Sequence, residues 1–177
     1  MRVVLLGDSH LARVRRESGR LGRDVSDVVN AAVGGARCDQ VADQAARAGV
    51  GPADVVVLSI GTNDAAPWKQ VPLTIFRATL RGLLVEVPAR AWVLVSAPGV
   101  DADRLSGEGD RTEEVVARYR DAAAEVLGGA GAVVIDSPAL LAPLGPAETF
   151  LDDGLHLTPA AYDVLLPAVA DAVAATV

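Results

Sequence analysis

Five short runs of Val, Leu and Ile, each divided from the next by a stretch of helical or loop character, constrain this 177-residue chain more than any other feature. They are Val3–Leu6, Val25–Val33, Asp54–Ile60, Ala91–Ala97 and Ala132–Asp136. Their apolar residues follow one another instead of alternating with polar ones, which suits strands covered on both faces, as in a parallel sheet. Over Leu73–Val87, the residues Leu73, Phe76, Leu80, Leu83 and Val87 recur at spacings of three and four and form one helical stripe. Asp110 and Glu113 have N-cap spacing, and Val115, Val116, Tyr119 and Val126 lie along one side of the helix they open. Thr158-Pro159 pairs a cap residue with a proline at the first helical position, and Pro167 should kink that last helix or end its first half. Strand and helix alternating five times predict a three-layer α/β/α sandwich with right-handed crossovers. No linker or repeat interrupts it, so residues 1–177 are expected to form a single domain.

Composition narrows the class. Hydrophobic residues make up 51% and charged residues 22%, which excludes a disordered or collagen-like chain. Aromatics are only 3%, so the core has to be built from Ala, Val and Leu. A formal net charge of -7 argues against nucleic acid as a partner. Arg13, Arg15, Arg16, Arg20 and Arg23 form a local basic cluster that reads as a solvated helix face and loop. Cys38 is the only cysteine, which permits no internal disulfide and no cysteine zinc cluster and fits a cytoplasmic setting. The apolar start at Val3 is too short for a signal peptide, and no run reaches the roughly 18 residues of a membrane helix.

In parallel sheets ligands collect at the carboxyl ends of the strands. The residues with usable chemistry fall there: Ser9 after the first strand, Gly34-Gly35 after the second, Asn63 after the third, and Asp153 and His156 beyond the fifth. A serine hydroxyl becomes a nucleophile only when a base takes its proton, and the chain has just two histidines to supply one. Asp153 precedes His156 by three residues, so one turn can bring its carboxylate to the imidazole and set the tautomer. The N–H groups of Ser9 and Gly35 and the side-chain amide of Asn63 are candidate donors to an oxyanion. Each piece alone has a plainer reading. Ser9 could cap a helix running from about His10 to Ser18, Asp153 and His156 could be a loop ion pair, and both glycine-containing segments could be simple turns.

Taken together, Gly7-Asp8-Ser9-His10, Asn30 through Gly35, Gly61-Thr62-Asn63-Asp64 and Asp153-Gly154-Leu155-His156 resemble the four sequence blocks of the SGNH hydrolases, or GDSL-type esterases and lipases. The resemblance covers the whole chain in order and spacing. It implies a flavodoxin-like five-stranded parallel sheet in the order 2-1-3-4-5. It also implies Ser9 as nucleophile, His156 as base, Asp153 as its orienting acid, and Ser9, Gly35 and Asn63 as the oxyanion hole. Two positions depart from the family pattern. His10 replaces an aliphatic residue, and Ala36-Arg37 stands where the family often has Asp-Thr.

Rival classes fit less well. An α/β-hydrolase elbow needs a glycine two residues after the serine, where this chain has Leu11. A metal-dependent phosphoesterase could begin from Asp8, His10, Asn63 and Asp64, but only one other histidine remains. A phospho-receiver needs a lysine after the fifth strand, and the sole lysine is Lys69, after the third. Gly128-Gly129-Ala130-Gly131 precedes a strand, so it makes no phosphate cradle.

The expectation is therefore a serine esterase acting through an acyl-enzyme on a small-molecule ester, with no metal and no organic cofactor. Short acyl groups such as acetyl on a sugar or small metabolite are favoured by the small size of the chain. Lysophospholipase, thioesterase or acyltransferase activity would use the same residues, and a silent binding relative is the alternative from another class. Selectivity should come from the loops Ala65–Pro72, Pro98–Gly109 (expected to be mobile) and Ser137–Leu151. Trp68 is a candidate pocket wall and Arg37 a candidate substrate-side cation. Cys38 should be a small buried apolar residue.

Overall fold

The computed structural model describes residues 1–14, 27–105 and 110–176. Five parallel strands, β1 (Arg2–Gly7), β2 (Asp27–Asn30), β3 (Val55–Ser59), β4 (Ala91–Val95) and β5 (Val133–Ile135), form one sheet in the order β2-β1-β3-β4-β5. The expected second strand is longer than the observed one. Its first two residues lie outside the described segment, and Ala31 and Val33 go on donating to Leu5 and Gly7 carbonyls beyond the formal strand end. Register is set strand by strand, with Val3 opposite Val28 and Val55, and Val55 opposite Ala91.

Consecutive Val and Leu residues are buried because the sheet is covered on both sides. Val4, Leu6, Val56, Leu58, Trp92 and Leu94 face one core, where α2 (Val41–Ala48), α3 (Leu73–Glu86) and α4 (Glu113–Gly129) pack. Their neighbours in sequence, Val3, Leu5, Val55, Val57, Val93 and Val95, face the other core. There they meet α1 (Ser9–Ala12), α5 (Ser137–Leu141) and α7 (Pro159–Ala174). This is the three-layer sandwich the sequence predicts.

The helical stripe is observed: Phe76, Leu80, Leu83 and Val87 are all buried. Three local expectations are corrected. The cap of α4 is Thr112, whose hydroxyl accepts from the Val115 N–H, not Asp110. Asp110 instead pairs with Arg111. Helix α7 runs through Pro167, so of the two expected effects the ending of its first half is not observed; Leu165, Leu166 and Val169 around the proline are buried. Ser137–Leu151 is not an open loop; α5, a 3₁₀ turn at Ala142–Leu144 and α6 (Gly145–Thr149) fill it. Arg15, Arg16, Arg20 and Arg23 of the basic cluster lie outside the described residues.

The chain leaves β1 toward β2 on one side and returns to β3 on the other, so the order reverses between β1 and β3. A crevice opens at such a switch point, at the carboxyl ends of those strands. Both ends carry the polar residues singled out above. No helix among the described residues is long and apolar enough to cross a membrane.

Candidate active site

β1 stops at Gly7 because that position admits only glycine. Its φ is +118°, and a Cβ there would lie 1.8 Å from the Ser59 carbonyl oxygen. Asp8 then caps α1, accepting from the His10 N–H at 3.1 Å. Asp8, not Ser9, is thus the cap residue. Ser9, the first residue of the helix, keeps its hydroxyl for other partners.

One of those partners comes from the far end of the chain. His156 Nε2 lies 3.2 Å from Ser9 Oγ, across a sequence separation of 147 residues. Its other nitrogen, Nδ1, lies 2.6 Å from Asp153 Oδ2. Asp153 uses its second oxygen on the N–H groups of Leu155 (3.0 Å) and His156 (2.9 Å). Burial alone would raise the Asp153 pKa, but the hydrogen bonds from His156 and Leu155 outweigh it and hold the group at about 2. An ionised Asp153 accepts from Nδ1–H, which leaves Nε2 bare to accept the serine proton.

The Asp153–His156 segment is held at both ends. Phe150 and Leu157 form an antiparallel bridge, and Leu151 N–H donates to His156 C=O at 2.8 Å. Gly154, with φ of +66°, lies so close to the Asp101 backbone that a Cβ would come within 2.5 Å of it. Asp101 N–H donates to Gly154 C=O, and Arg104 donates to Phe150 C=O at 3.0 Å. The described part of the Pro98–Gly109 loop is therefore tied to the histidine segment by backbone and side-chain hydrogen bonds. Residues 106–109 of that loop fall outside the described ones.

The two remaining candidates meet on a lysine. Gly35 has φ of +79°, and Gly34 packs beside Ser9, where an added Cβ would touch the serine Cβ at 4.0 Å. Asn63 is buried in the turn after β3. Lys69 Nζ donates to Gly35 C=O at 2.9 Å and approaches Asn63 Oδ1 at 3.5 Å. Asp64 joins the same two segments from beneath, accepting from the Cys38 N–H at 2.9 Å. Cys38 is buried, as its apolar reading requires, and burial pushes its thiol pKa upward.

The other residues of interest fall around this centre. His10 is buried, its ring centroid 6.4 Å from that of His156 and its Nε2 3.4 Å from Thr62 Oγ1. Burial first, and then the neighbouring His156, Arg13 and Arg111, lower its pKa to about 3 and keep it neutral. Trp68 is 61% exposed, and Arg111 lies 5.2 Å from its ring centroid while donating to Thr62 C=O at 3.0 Å. Trp68 thus does not pack beneath its loop. Arg37 is bound by Asp39 through two contacts (2.5 and 3.2 Å) and donates to Lys69 C=O. Among the described residues, no three His, Cys, Asp or Glu side chains are grouped to hold a metal ion. Sequence reasoning missed Lys69, Arg111, Arg104 and Gln44 as supports of the site. Lys69 had one signal: it is the sole lysine in a chain with 16 basic residues, and it follows Asn63 within the same loop.

Residues 5–164 match the sequence model of the GDSL-like lipase/acylhydrolase family. No curated protein matches the chain in sequence. In fold it is similar to a lipase/acylhydrolase from Enterococcus faecalis (TM-score 0.78, 23% identity, covering 97% of this chain and 94% of that one). It is also similar to a carbohydrate acetylesterase from Sinorhizobium meliloti (TM-score 0.79, 18% identity, 99% of each chain). A third likeness is to an acetyl xylan esterase from Geobacillus stearothermophilus (TM-score 0.69, 19% identity, 97% of this chain and 94% of that one).

Proposed function

The chain belongs to the GDSL-like lipase/acylhydrolase family and is a carboxylic ester hydrolase, and from that premise we propose that it cleaves short-chain esters, above all acetyl esters of a sugar or small metabolite, through an acyl-enzyme on Ser9. The observation that carries the mechanism is the unbroken chain from Ser9 Oγ to His156 Nε2 (3.2 Å) and from Nδ1 to Asp153 (2.6 Å). In this reading Ser9 Oγ attacks the ester carbonyl as His156 takes its proton. The tetrahedral oxyanion is received by the N–H groups of Ser9 and Gly35 and by the Asn63 amide. His156 returns the proton to the leaving alkoxide, then activates water to release the acid. Every proton moves among Ser9, His156, the leaving alkoxide and water, so the scheme calls for no metal or organic cofactor.

Two features support a sugar ester. Trp68 offers an exposed ring on the loop that carries Asn63, and such a face suits stacking against the apolar side of a pyranose. Two proteins of similar fold are named for acetyl groups on carbohydrate. Of the two substrate-side candidates Trp68 has the better support, because the Arg37 fork is bound by Asp39.

A fluorophosphonate probe and a panel of p-nitrophenyl esters test the reading. The expected outcome is labelling at Ser9, fastest turnover on acetyl, and no release by Ser9→Ala or His156→Ala. Near-full turnover by Ser9→Ala overturns the mechanism. An intact enzyme that the probe leaves unlabelled supports a silent binding relative, and a preference for long acyl chains supports a lysophospholipase-type activity.

A further inference from the structure

Lys69 occupies a place that the mechanism above leaves without a role. All but one of the 16 Lys and Arg residues are arginine, and the one lysine reaches both proposed oxyanion donors. Its contact with Gly35 is close: a Cβ on that glycine would lie 3.2 Å from Nζ. Its own backbone is held on both sides. Lys69 N–H donates to Ala66 C=O at 2.9 Å, and Arg37 donates to Lys69 C=O at 3.3 Å.

An ammonium can only donate, so it selects the oxygen end of the Asn63 amide and leaves the Nδ2 donors to the opposite side. It also binds the Gly35 carbonyl and so fixes the peptide that follows the Gly35 N–H. A compact ammonium with rotatable donors suits a place between two separate acceptors in a glycine turn, whereas the planar guanidinium is suited to a bidentate partner. We infer that Lys69 is a positioning residue of the oxyanion site, holding Gly35 and Asn63 in register and setting which end of the Asn63 amide meets the reacting carbonyl. This rests on the Ser9 acyl-enzyme reading. Lys69 touches neither Ser9 nor the substrate in that scheme; it acts through its two neighbours.

The test compares Lys69→Met, Asn63→Ala and the double variant with wild type and Ser9→Ala, measuring p-nitrophenyl acetate hydrolysis and thermal melting. Lys69→Met is expected to lower kcat on the order of tenfold, less than the roughly 10²–10³ for a lost donor, with KM nearly unchanged. In the Asn63→Ala background the same substitution should cost less than about threefold, because the part of its effect that runs through Asn63 is already lost and only its hold on Gly35 remains. A lysine that served stability alone would lower the melting temperature and would act equally in both backgrounds. Wild-type kcat in folded Lys69→Met, or full additivity with Asn63→Ala, overturns the role. Should Lys69→Met not fold, acetylation of the folded enzyme with an N-hydroxysuccinimide ester removes the same charge, and unchanged kcat then overturns it. Turnover surviving in Ser9→Ala overturns the underlying reading instead, so the two failures are distinct.

Discussion

Asp8 and His10 flank Ser9, and both are wholly buried with one side-chain atom unpartnered, Oδ2 and Nδ1 respectively. Burial, reinforced by nearby Asp64, raises the Asp8 pKa from 3.8 to about 7, while burial lowers that of His10 from 6.5 to about 3. The neutral form of each group is thus the one the fold accepts. For Asp8 the stabilisation is complete below about 4 and is lost as pH rises through about 7. For His10 it is complete above about 6.5 and is lost as pH falls through about 3. Between about pH 4 and 6.5 the two slopes oppose. Asp8→Asn keeps an oxygen to cap α1 and removes one slope. It should therefore gain on wild type as pH rises from about 4 to 7, by at most roughly 1.4 kcal/mol per pH unit. Urea midpoints at several pH values read this directly, and a stability difference that stays constant with pH sinks the assignment. At the same scale, Asn63→Ala should slow short-ester turnover by a factor on the order of 10²–10³ with little change in KM, as steady-state kinetics would record.

At the scale of elements, the end of β1 is the junction on which the site depends. Gln44 of α2 reaches across to Gly7, accepting from its N–H at 2.7 Å and donating to its carbonyl at 2.9 Å. Both bonds are buried, and the Gly7 carbonyl keeps the Val33 N–H, so Gln44→Ala leaves the Gly7 N–H unsatisfied and should destabilise by about 1–3 kcal/mol, measured by chemical denaturation. Gly7→Ala should do more. Its Cβ would overlap the Ser59 carbonyl, which is backbone in the adjacent strand and cannot move aside without breaking the β1–β3 register. The expected result is little or no folded protein on expression. A soluble Gly7→Ala variant with a near-native melt would contradict the packing argument. Elements themselves were legible from residue order: the five apolar runs and the α3 stripe sit where their periodicity puts them. Element ends were less so. Thr112 caps α4 in place of Asp110, and Ser137–Leu151 is helical despite three prolines, because capping and short helices answer to neighbouring packing as much as to local spacing.

On the scale of the whole molecule, Ser9 belongs to the layer of α1 and α7, whereas Gly35, Asn63 and Lys69 lie on segments leading into α2 and α3, on the other face. The proposed site therefore needs both layers docked on the sheet. Activity and secondary structure should be lost together in one transition with urea, since no half of the sandwich carries the site alone. Activity that disappears well before the circular dichroism signal would point to a site resting on a separately unfolding segment.

Residue order by itself determined what depends on near neighbours. It set the strand and helix succession, the two apolar faces, the turn that exposes Ser9, and the Asp153–His156 pair that a single turn brings together. Only the tertiary structure decided which distant groups meet: His156 against Ser9 across 147 residues, Lys69 between Gly35 and Asn63, and Asp101 against Gly154. The division is physical. Backbone preferences and hydrogen bonds within a turn act over a few residues, whereas contacts between loops are set by sheet register and helix packing, which exist only once the chain has folded.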